Sequence, residues 1–465
     1  MKTMAIVLAA GQGKRMKSKL YKVLHQVAGK PMVGHVLHTV GQVECERTVV
    51  IVGHGAEAVK SYLGDAAEYV LQEQQCGTGH AVRQAEPLLG AEEGLTVVIC
   101  GDTPLVKAES IQAMKELHLK SGAAATIMTA VFDNPAGYGR IIRGADGTVE
   151  RIVEQKDCSP QEAAVREINT GTYIFDNKKL FAALAKVTND NAQGEYYLTD
   201  VIRIFREAGE NIQGWCTDDN AEAIGVNDRI ALAEAEKLMR QRINRMHMTN
   251  GVTLIDPDAT YIEAEVEIGP DTVVYPGSVL KGKTVIGEDA VIGPNAEISG
   301  STVGNGASVK YSVVNDSVIG DDSAVGPYAN LRPGSKLGKG CKIGDFVELK
   351  NASLGDGSKV SHLSYVGDAK VGSDVNIGCG AITVNYDGYN KSLTEIADNA
   401  FIGSNVNLIA PVKIGEGAYV VAGSTITNDV PAGDLAIARE RQTNKAGYAE
   451  KIRARAKAKK ERSTK

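Results

Sequence analysis

The chain has 465 residues, 43% of them hydrophobic and 23% charged, which is enough for two or three domains with cores of their own. A net charge of −6 gives no reason to expect a nucleic-acid partner, and seven scattered cysteines (45, 76, 100, 158, 216, 341 and 379) with no C-x-x-C spacing argue against a disulfide framework or a zinc knuckle. Nothing reads as a signal peptide or as an apolar run of membrane-spanning length, so the expectation is a cytoplasmic protein with reduced thiols and no membrane partner.

Residues 1–227 alternate strand-like and helical patterns. Residues 4–10, 47–53 and 95–101 are short, continuously apolar runs of the kind buried on both faces of a parallel sheet, and helical patterns at 31–40, 56–63 and 79–88 separate them. This is the pattern of an open α/β sheet, whose ligands sit beyond the carboxyl ends of the strands. The first run is followed by Gly11, Gln12, Gly13, Lys14, Arg15 and Met16. The third glycine of a dinucleotide fingerprint and the Gly-Lys-Ser/Thr of a Walker loop are both missing. With Lys17, Lys19 and Lys22, the turn still offers N–H donors and cations suited to a triphosphate, although glycine turns after strands are often only structural. The third run is followed by Gly101 and Asp102, where a carboxylate could hold Mg²⁺ against phosphates or simply cap a turn. Between them, residues 72–81 form a polar loop opening a helix. Its amides and hydroxyl suit a base edge or an ordinary helix start equally well.

Residues 228–250 carry Ile230, Leu232, Ala235, Leu238 and Ile243 at helical spacing, without Gly or Pro before Gly251. They predict one linker helix of about 22 residues, ~33 Å long, a rod able to hold two domains apart. From about Ile268 to Val430 an aliphatic residue returns every six positions, usually followed by Gly and then, at the fifth position, by a small residue. Examples begin at Ile286, Ile292, Leu337, Ile343 and Ile414. A period of six fits neither a helix nor a long strand, but it fits a short strand and turn repeated three times per coil, a parallel β-helix of roughly nine coils. The repeat breaks once, at residues 383–395, an insertion holding Asn385, Tyr386 and Lys391 of the kind that forms loops on binding faces. Arg332, Lys350, His362 and Tyr365 fall where the repeat does not ask for polar groups, and His362 is the one histidine after His247. Residues 438–465 hold eleven Lys/Arg against three Glu. They read as a solvated, partly disordered tail whose first residues could meet anionic phosphates.

The run Leu8 to Met16, Lys22 with Val23, Leu24 and His25, Gln72, Gly77 to His80, Gly101 with Asp102, Gly137 to Arg140, Glu154 to Asp157, Asn169 to Gly171 and Gly225 to Asn227 resembles the sugar-1-phosphate nucleotidyltransferases. In order and spacing, nearly the whole chain resembles the bifunctional N-acetylglucosamine-1-phosphate uridyltransferase/glucosamine-1-phosphate N-acetyltransferases. Lys14 and Tyr21 depart from that family's commonest motif, where Thr and Pro are frequent. The resemblance implies a Rossmann-like nucleotidyltransferase domain at 1–227, a linker helix at 228–250, a left-handed parallel β-helix acetyltransferase domain at 251–437, a basic tail, and a homotrimer with sites between chains.

It further implies that Leu8, Ala10, Gly11, Gln72, Gly77 and Thr78 hold UTP, with Arg15 and Lys22 acting on its phosphates. Asp102 and Asn227 would share Mg²⁺, and Gly139, Glu154, Asn169 and Asn227 would contact N-acetylglucosamine-1-phosphate. In-line phosphoryl chemistry needs positioning and charge neutralisation more than a protein nucleophile, which suits this set. In the β-helix, His362 would be the general base. Arg332, Lys350, Tyr365, Asn376 and Lys391 would surround glucosamine-1-phosphate, and Asn385, Tyr386, Ser404, Ala422 and Arg439 would bind acetyl-coenzyme A. Imidazole suits removal of a proton from an amine attacking a thioester. A single-activity nucleotidyltransferase with a structural solenoid gives no account of His362, Asn385, Lys391 and Arg439 together. A β-helical metalloenzyme would need several histidines.

Overall fold

The computed structural model describes residues 1–463 and divides into two units. The first comprises Met1–His247 and Tyr261–Glu265, the second Met248–Thr260 and the chain from Val266 onward.

The first unit is built on a nine-stranded sheet. Its strands are β1 (Thr3–Ala9), β2 (Arg47–Val52), β3 (Glu68–Leu71), β4 (Leu95–Cys100), β5 (Ala125–Val131), β6 (Gly139–Arg143), β7 (Val149–Val153), β8 (Glu167–Asp176) and β9 (Ile212–Cys216). They run in the order β9, β5, β8, β4, β1, β2, β3, with β6 pairing β8 and β7 at the side. β1 is flanked by β2 and β4, both parallel to it. The unbroken apolar runs of the sequence follow from this position. Met4 and Ile6 pack into the core on one face of the sheet, while Ala5, Val7 and Ala9 pack into the core on the other. β8 enters antiparallel between β4 and β5, with an irregular register between Asn169 and Tyr173, a bulge of the sort that re-aims side chains beside a site.

The helix expected to link the two halves spans Arg229–Thr249, and over much of its length it lies against the first unit. Ala235 is buried with Val27, Met32, Leu105 and Val226, and Arg242 donates to the Leu105 carbonyl at 2.5 Å and to Asp219 at 2.9 Å.

In the second unit, parallel strands of two to seven residues pair coil on coil, as in Val273 with Val291 and Ile286 with Val303. One face of the coil is an eleven-stranded ladder, and the other two join in a seventeen-stranded one. The periodic aliphatics Ile286, Ile292, Leu337, Ile343 and Ile414 all point inward and are buried, each contributing about 1.5–3 kcal/mol of apolar transfer. The glycine after the aliphatic is required by the neighbouring coil, since a Cβ on Gly320 would sit 2.4 Å from the carbonyl oxygen of Gly338. At the fifth position, buried Ser278 and Ser323 return their hydroxyls to the Tyr275 and Gly338 carbonyls at 2.7 and 2.9 Å, so no polar atom is stranded there. The basic tail departs from the expected disorder. Its alternating Ala, Lys and Arg, all good helix formers, form a helix over Tyr448–Ser463 that is exposed along its length. Among the described residues, no helix is long and apolar enough to cross a membrane.

Candidate active sites

The carboxyl ends of β1, β3 and β4 meet at a cavity of about 280 Å³ lined by Leu8, Ala10, Gly11, Lys22, Gln72, Gly77, Thr78, Cys100 and Asp102, among others. After β1 the chain turns through Gly13, which is left-handed with φ 63°. A Cβ there would fall 2.6 Å from Lys22 Cβ, so glycine lets the turn pass over the lysine. Lys22 Nζ bonds to the Asp102 carboxylate and, at 3.0 Å, to Asn227 Oδ1. The Lys22 and Asp102 side chains are only 14% and 13% exposed, so this charge pair is largely out of water. Gly77 has φ 108°, and a Cβ on it would meet Tyr196 O at 2.5 Å. Thr78 Oγ1 accepts the Leu198 N–H at 3.0 Å. Arg15 lies on the turn Lys14–Met16 with its side chain exposed.

A second group adjoins this one. Asn169 and Gly139 are register partners, and a Cβ on Gly139 would lie 3.6 Å from both Glu154 Oε2 and Asn169 Cβ. Glu154 accepts from Thr199 Oγ1 at 3.1 Å, and burial pushes its carboxyl above the usual range. Asn169 donates to the buried Tyr173 hydroxyl at 2.7 Å and accepts the Gly171 N–H at 3.3 Å. Gly171 O in turn faces the Cys100 thiol, whose pKa burial pushes up to about 12.

In the second unit, His362 ends the strand Lys359–His362 and is the register partner of Asp345, one coil earlier. Asp345 Oδ1 lies 2.5 Å from His362 Nδ1, and this bond holds the aspartate below its usual range. The imidazole side chain is 58% exposed. The adjoining cluster centres on Asp368, which accepts from Asn351 at 2.8 Å and Asn385 at 2.5 Å and pairs with Lys350 at 3.8 Å. Tyr365 OH is 3.5 Å from Asn385 Nδ2. Lys350 stands beside Lys391 and depresses its pKa, the mark of two ammonium groups facing one small space. Arg332 pairs with Glu348 at 2.9 Å, and Glu348 is the register partner of Tyr365.

A third set runs along one corner of successive coils. Gly380 N–H donates to His362 O at 3.3 Å, Asn405 N–H to Cys379 O at 2.8 Å, and Gly423 N–H to Ser404 O at 2.8 Å. A Cβ on Gly423 would touch Arg439 Cδ at 3.6 Å. This track carries Ser404, Ala422 and Arg439 away from His362. Asn376 sits on the strand paired with Lys359–His362. Asn385 and Tyr386 leave a strand of the other ladder, so the structure joins Asn385 to Lys350 and Tyr365, and the track to His362.

A nucleotidyl transferase family model matches residues 4–237. Models of the bacterial transferase hexapeptide and of the succinyl-transferase hexapeptide repeat match residues 316–351 and 394–428, and residues 283–310, respectively. The bifunctional protein GlmU of Geobacillus sp. (strain WCH70) is 61% identical over 451 residues, covering 97% of this chain and 98% of the relative. GlmU of Geobacillus thermodenitrificans is 59% identical over 456 residues (98% and 99%), and that of Bacillus subtilis (strain 168) 58% over 451 residues (97% and 99%). The chain belongs to the bifunctional GlmU family.

The two units are thus a Rossmann-like nucleotidyltransferase fold and a left-handed β-helix of hexapeptide repeats, as the sequence led one to expect of a GlmU-family chain. Sequence reasoning missed Asp345, Asp368 and Thr199. Asp345 is the register partner of His362 one coil earlier, 17 residues back and so one short of three hexapeptides, which a strict count of the repeat does not find. It also follows Ile343 and Gly344, where acidic residues are commonplace in the hexapeptides, and so looked like filler.

Proposed function

We infer that this one chain acetylates glucosamine-1-phosphate from acetyl-coenzyme A and then couples the product to UTP, releasing pyrophosphate and forming UDP-N-acetylglucosamine, an activated sugar for cell-wall synthesis. The observation that carries this is the presence, in two separately folded units of a chain matched end to end by bifunctional relatives, of two polar sites with different chemistry.

The nucleotidyltransferase half belongs to a family that uses a divalent metal, and Mg²⁺ is the ion proposed here. The oxygens of Asp102 and Asn227 stand together around one cationic atom, Lys22 Nζ, and so fit a hard cation. When bound, Mg²⁺ supplies neutralisation of charge on the phosphates. Leu8, Ala10, Gly11, Gln72, Gly77 and Thr78 would hold the nucleotide, and Arg15 and Lys22 its phosphates. Gly139, Glu154, Asn169 and Asn227 would orient the sugar phosphate, so that a phosphate oxygen attacks the α-phosphorus in line as pyrophosphate leaves.

In the β-helix, Asp345 keeps the imidazole proton on Nδ1, which leaves Nε2 of His362 to accept a proton from the attacking amine. The amine nitrogen bonds to the thioester carbonyl carbon, the carbon–sulfur bond breaks, and the coenzyme A thiolate takes up the proton. Arg332, Lys350 and Lys391 would hold the sugar phosphate, with Tyr365 and Asn376 beside them. Asn385, Tyr386, Ser404, Ala422 and Arg439 would hold acetyl-coenzyme A. A homotrimer is proposed from the family resemblance, and an exposed ridge, Tyr311, Tyr328, Phe346 and Leu363, with ring centroids 5.7 and 5.3 Å apart, supports self-association of the β-helix. Light scattering in solution tests it, and a monomeric mass would overturn it. A cytoplasmic location fits these phosphorylated and thioester substrates.

Purified protein given the substrates, with thiol and pyrophosphate followed separately, tests the whole reading. Thiol should appear without UTP, and pyrophosphate should appear from N-acetylglucosamine-1-phosphate without acetyl-coenzyme A. Pyrophosphate formation with no thiol release under any condition would reduce the chain to one activity.

A further inference from the structure

Gln72 is 3% exposed, and its side chain lines the nucleotide cavity. Its amide nitrogen faces two groups, Gly77 O at 3.2 Å and His80 Nδ1 at 3.0 Å. A peptide carbonyl can only accept, so the NH₂ end of the amide must be turned that way, and Nδ1 must accept its second N–H. The neutral ring then carries its proton on Nε2. That nitrogen meets the Gln84 amide at 3.2 Å, which also approaches the carbonyl of His80 at 3.1 Å. Both ring nitrogens cannot accept in a neutral imidazole. Gln84 is the more exposed of the two amides, so it gives up the contact with Nε2 and keeps its N–H on the His80 carbonyl, while buried Gln72 keeps both of its partners. The ring of Tyr196, 6.3 Å from that of His80, backs the imidazole.

We propose that His80 is a positioning residue that sets base specificity: by accepting at Nδ1 it locks Gln72 with Oε1 toward the cavity, where this oxygen selects a pyrimidine edge bearing an N–H. Uracil offers one at its imide nitrogen, whereas cytosine presents a lone pair at the same atom. His80 itself never touches the nucleotide. The inference rests on the reading of this cavity as the uridine-nucleotide site, and it adds what fixes the amide that reads the base.

The test compares kcat/KM for UTP and CTP, with N-acetylglucosamine-1-phosphate as acceptor, in the full-length chain and in Gln72→Leu, His80→Leu and His80→Asn, each checked for an unchanged melting temperature. Loss of one orienting partner should cut the UTP-over-CTP ratio of His80→Leu by roughly 10-fold or more. His80→Asn, whose amide oxygen can replace Nδ1, should keep most of the ratio. A merely structural histidine would lower both rates together and leave the ratio alone. If Gln72→Leu alters the ratio and His80→Leu does not, the positioning role is wrong and the cavity reading stands. An unaltered ratio in Gln72→Leu would overturn the cavity's base-reading role and the His80 inference with it. Should His80→Leu fold poorly, His80→Gln, which keeps the polarity but displaces the acceptor, should lower the ratio likewise, and an unchanged ratio there would equally overturn the positioning role.

Discussion

The two units assemble their sites by opposite routes. In the sheet unit, groups far apart in sequence, such as Lys22, Asp102 and Asn227, converge at strand ends, and the Lys22–Asp102 pair is largely out of water. In the β-helix, His362, Cys379, Ser404 and Arg439 are stacked by the repeat along one corner, and the histidine at its head is more than half exposed on the single chain. A convergent site concentrates charge where the effective dielectric is low and each group is worth more. A stacked site spreads binding along a line, with single groups mattering less unless they touch the reacting atoms.

Substitutions can break or sharpen that contrast. The largest effect is expected from Asp102→Ala, which should lower uridylyl transfer by at least about 10³-fold and leave acetyl transfer near its starting rate. Parallel pyrophosphate and thiol assays check this, and joint loss of both activities in a folded variant would remove the separation of sites. His362→Ala should do the reverse, with a fall of about 10²–10⁴-fold in acetyl transfer. Next comes Asp345→Asn. With the carboxylate gone, the ring is free to place its proton on either nitrogen, so kcat for acetyl transfer should drop roughly 10- to 100-fold with little change in KM. A change confined to KM would instead make Asp345 part of the binding surface. The smallest effect concerns stability. Burial raises the Glu154 carboxyl, so the folded state holds its proton more tightly than the unfolded chain does. The resulting penalty is absent at low pH and grows as pH rises through the folded value. Glu154→Gln should therefore raise the melting temperature slightly at neutral pH and not near pH 4, while slowing uridylyl transfer about 10-fold. Calorimetry at both pH values would expose the opposite sign.

The same contrast governs what the sequence could reveal. The six-residue period was legible because its cause is local: each aliphatic, glycine and small residue answers to the adjoining coil, so Ile286 or Ser278 can be placed without knowing the rest of the fold. The apolar runs of β1, β2 and β4 were legible for a like reason, burial on both faces. Lys22, Asp102 and Asn227 could be suspected singly from strand ends, but their meeting at one point depends on the order of strands in the sheet, which residue types do not encode. Asp345 and Asp368 stayed hidden because aspartate at a turn of a hexapeptide is ordinary, and only the pairing of coils turns one of them toward an imidazole. The helix Arg229–Thr249 read as a rod between domains because its apolar residues show that one face is covered without showing by what; Ala235 is buried against Leu105 and Val226, and Arg242, a residue type usually left to solvent, adds bonds to Leu105 and Asp219.

The corner running from His362 through Cys379, Ser404 and Gly423 to Arg439 advances by one coil at each step. Four advances at the interstrand spacing of about 4.8 Å separate its ends by ~19 Å. Length along this corner is therefore counted in whole coils, and an insertion of one complete coil after His362 would move Arg439 outward by a fixed increment without disturbing the pairing on either side. A β-helix of this kind is a graduated scale on which the reach of a long, flexible ligand can be matched by adding or removing divisions.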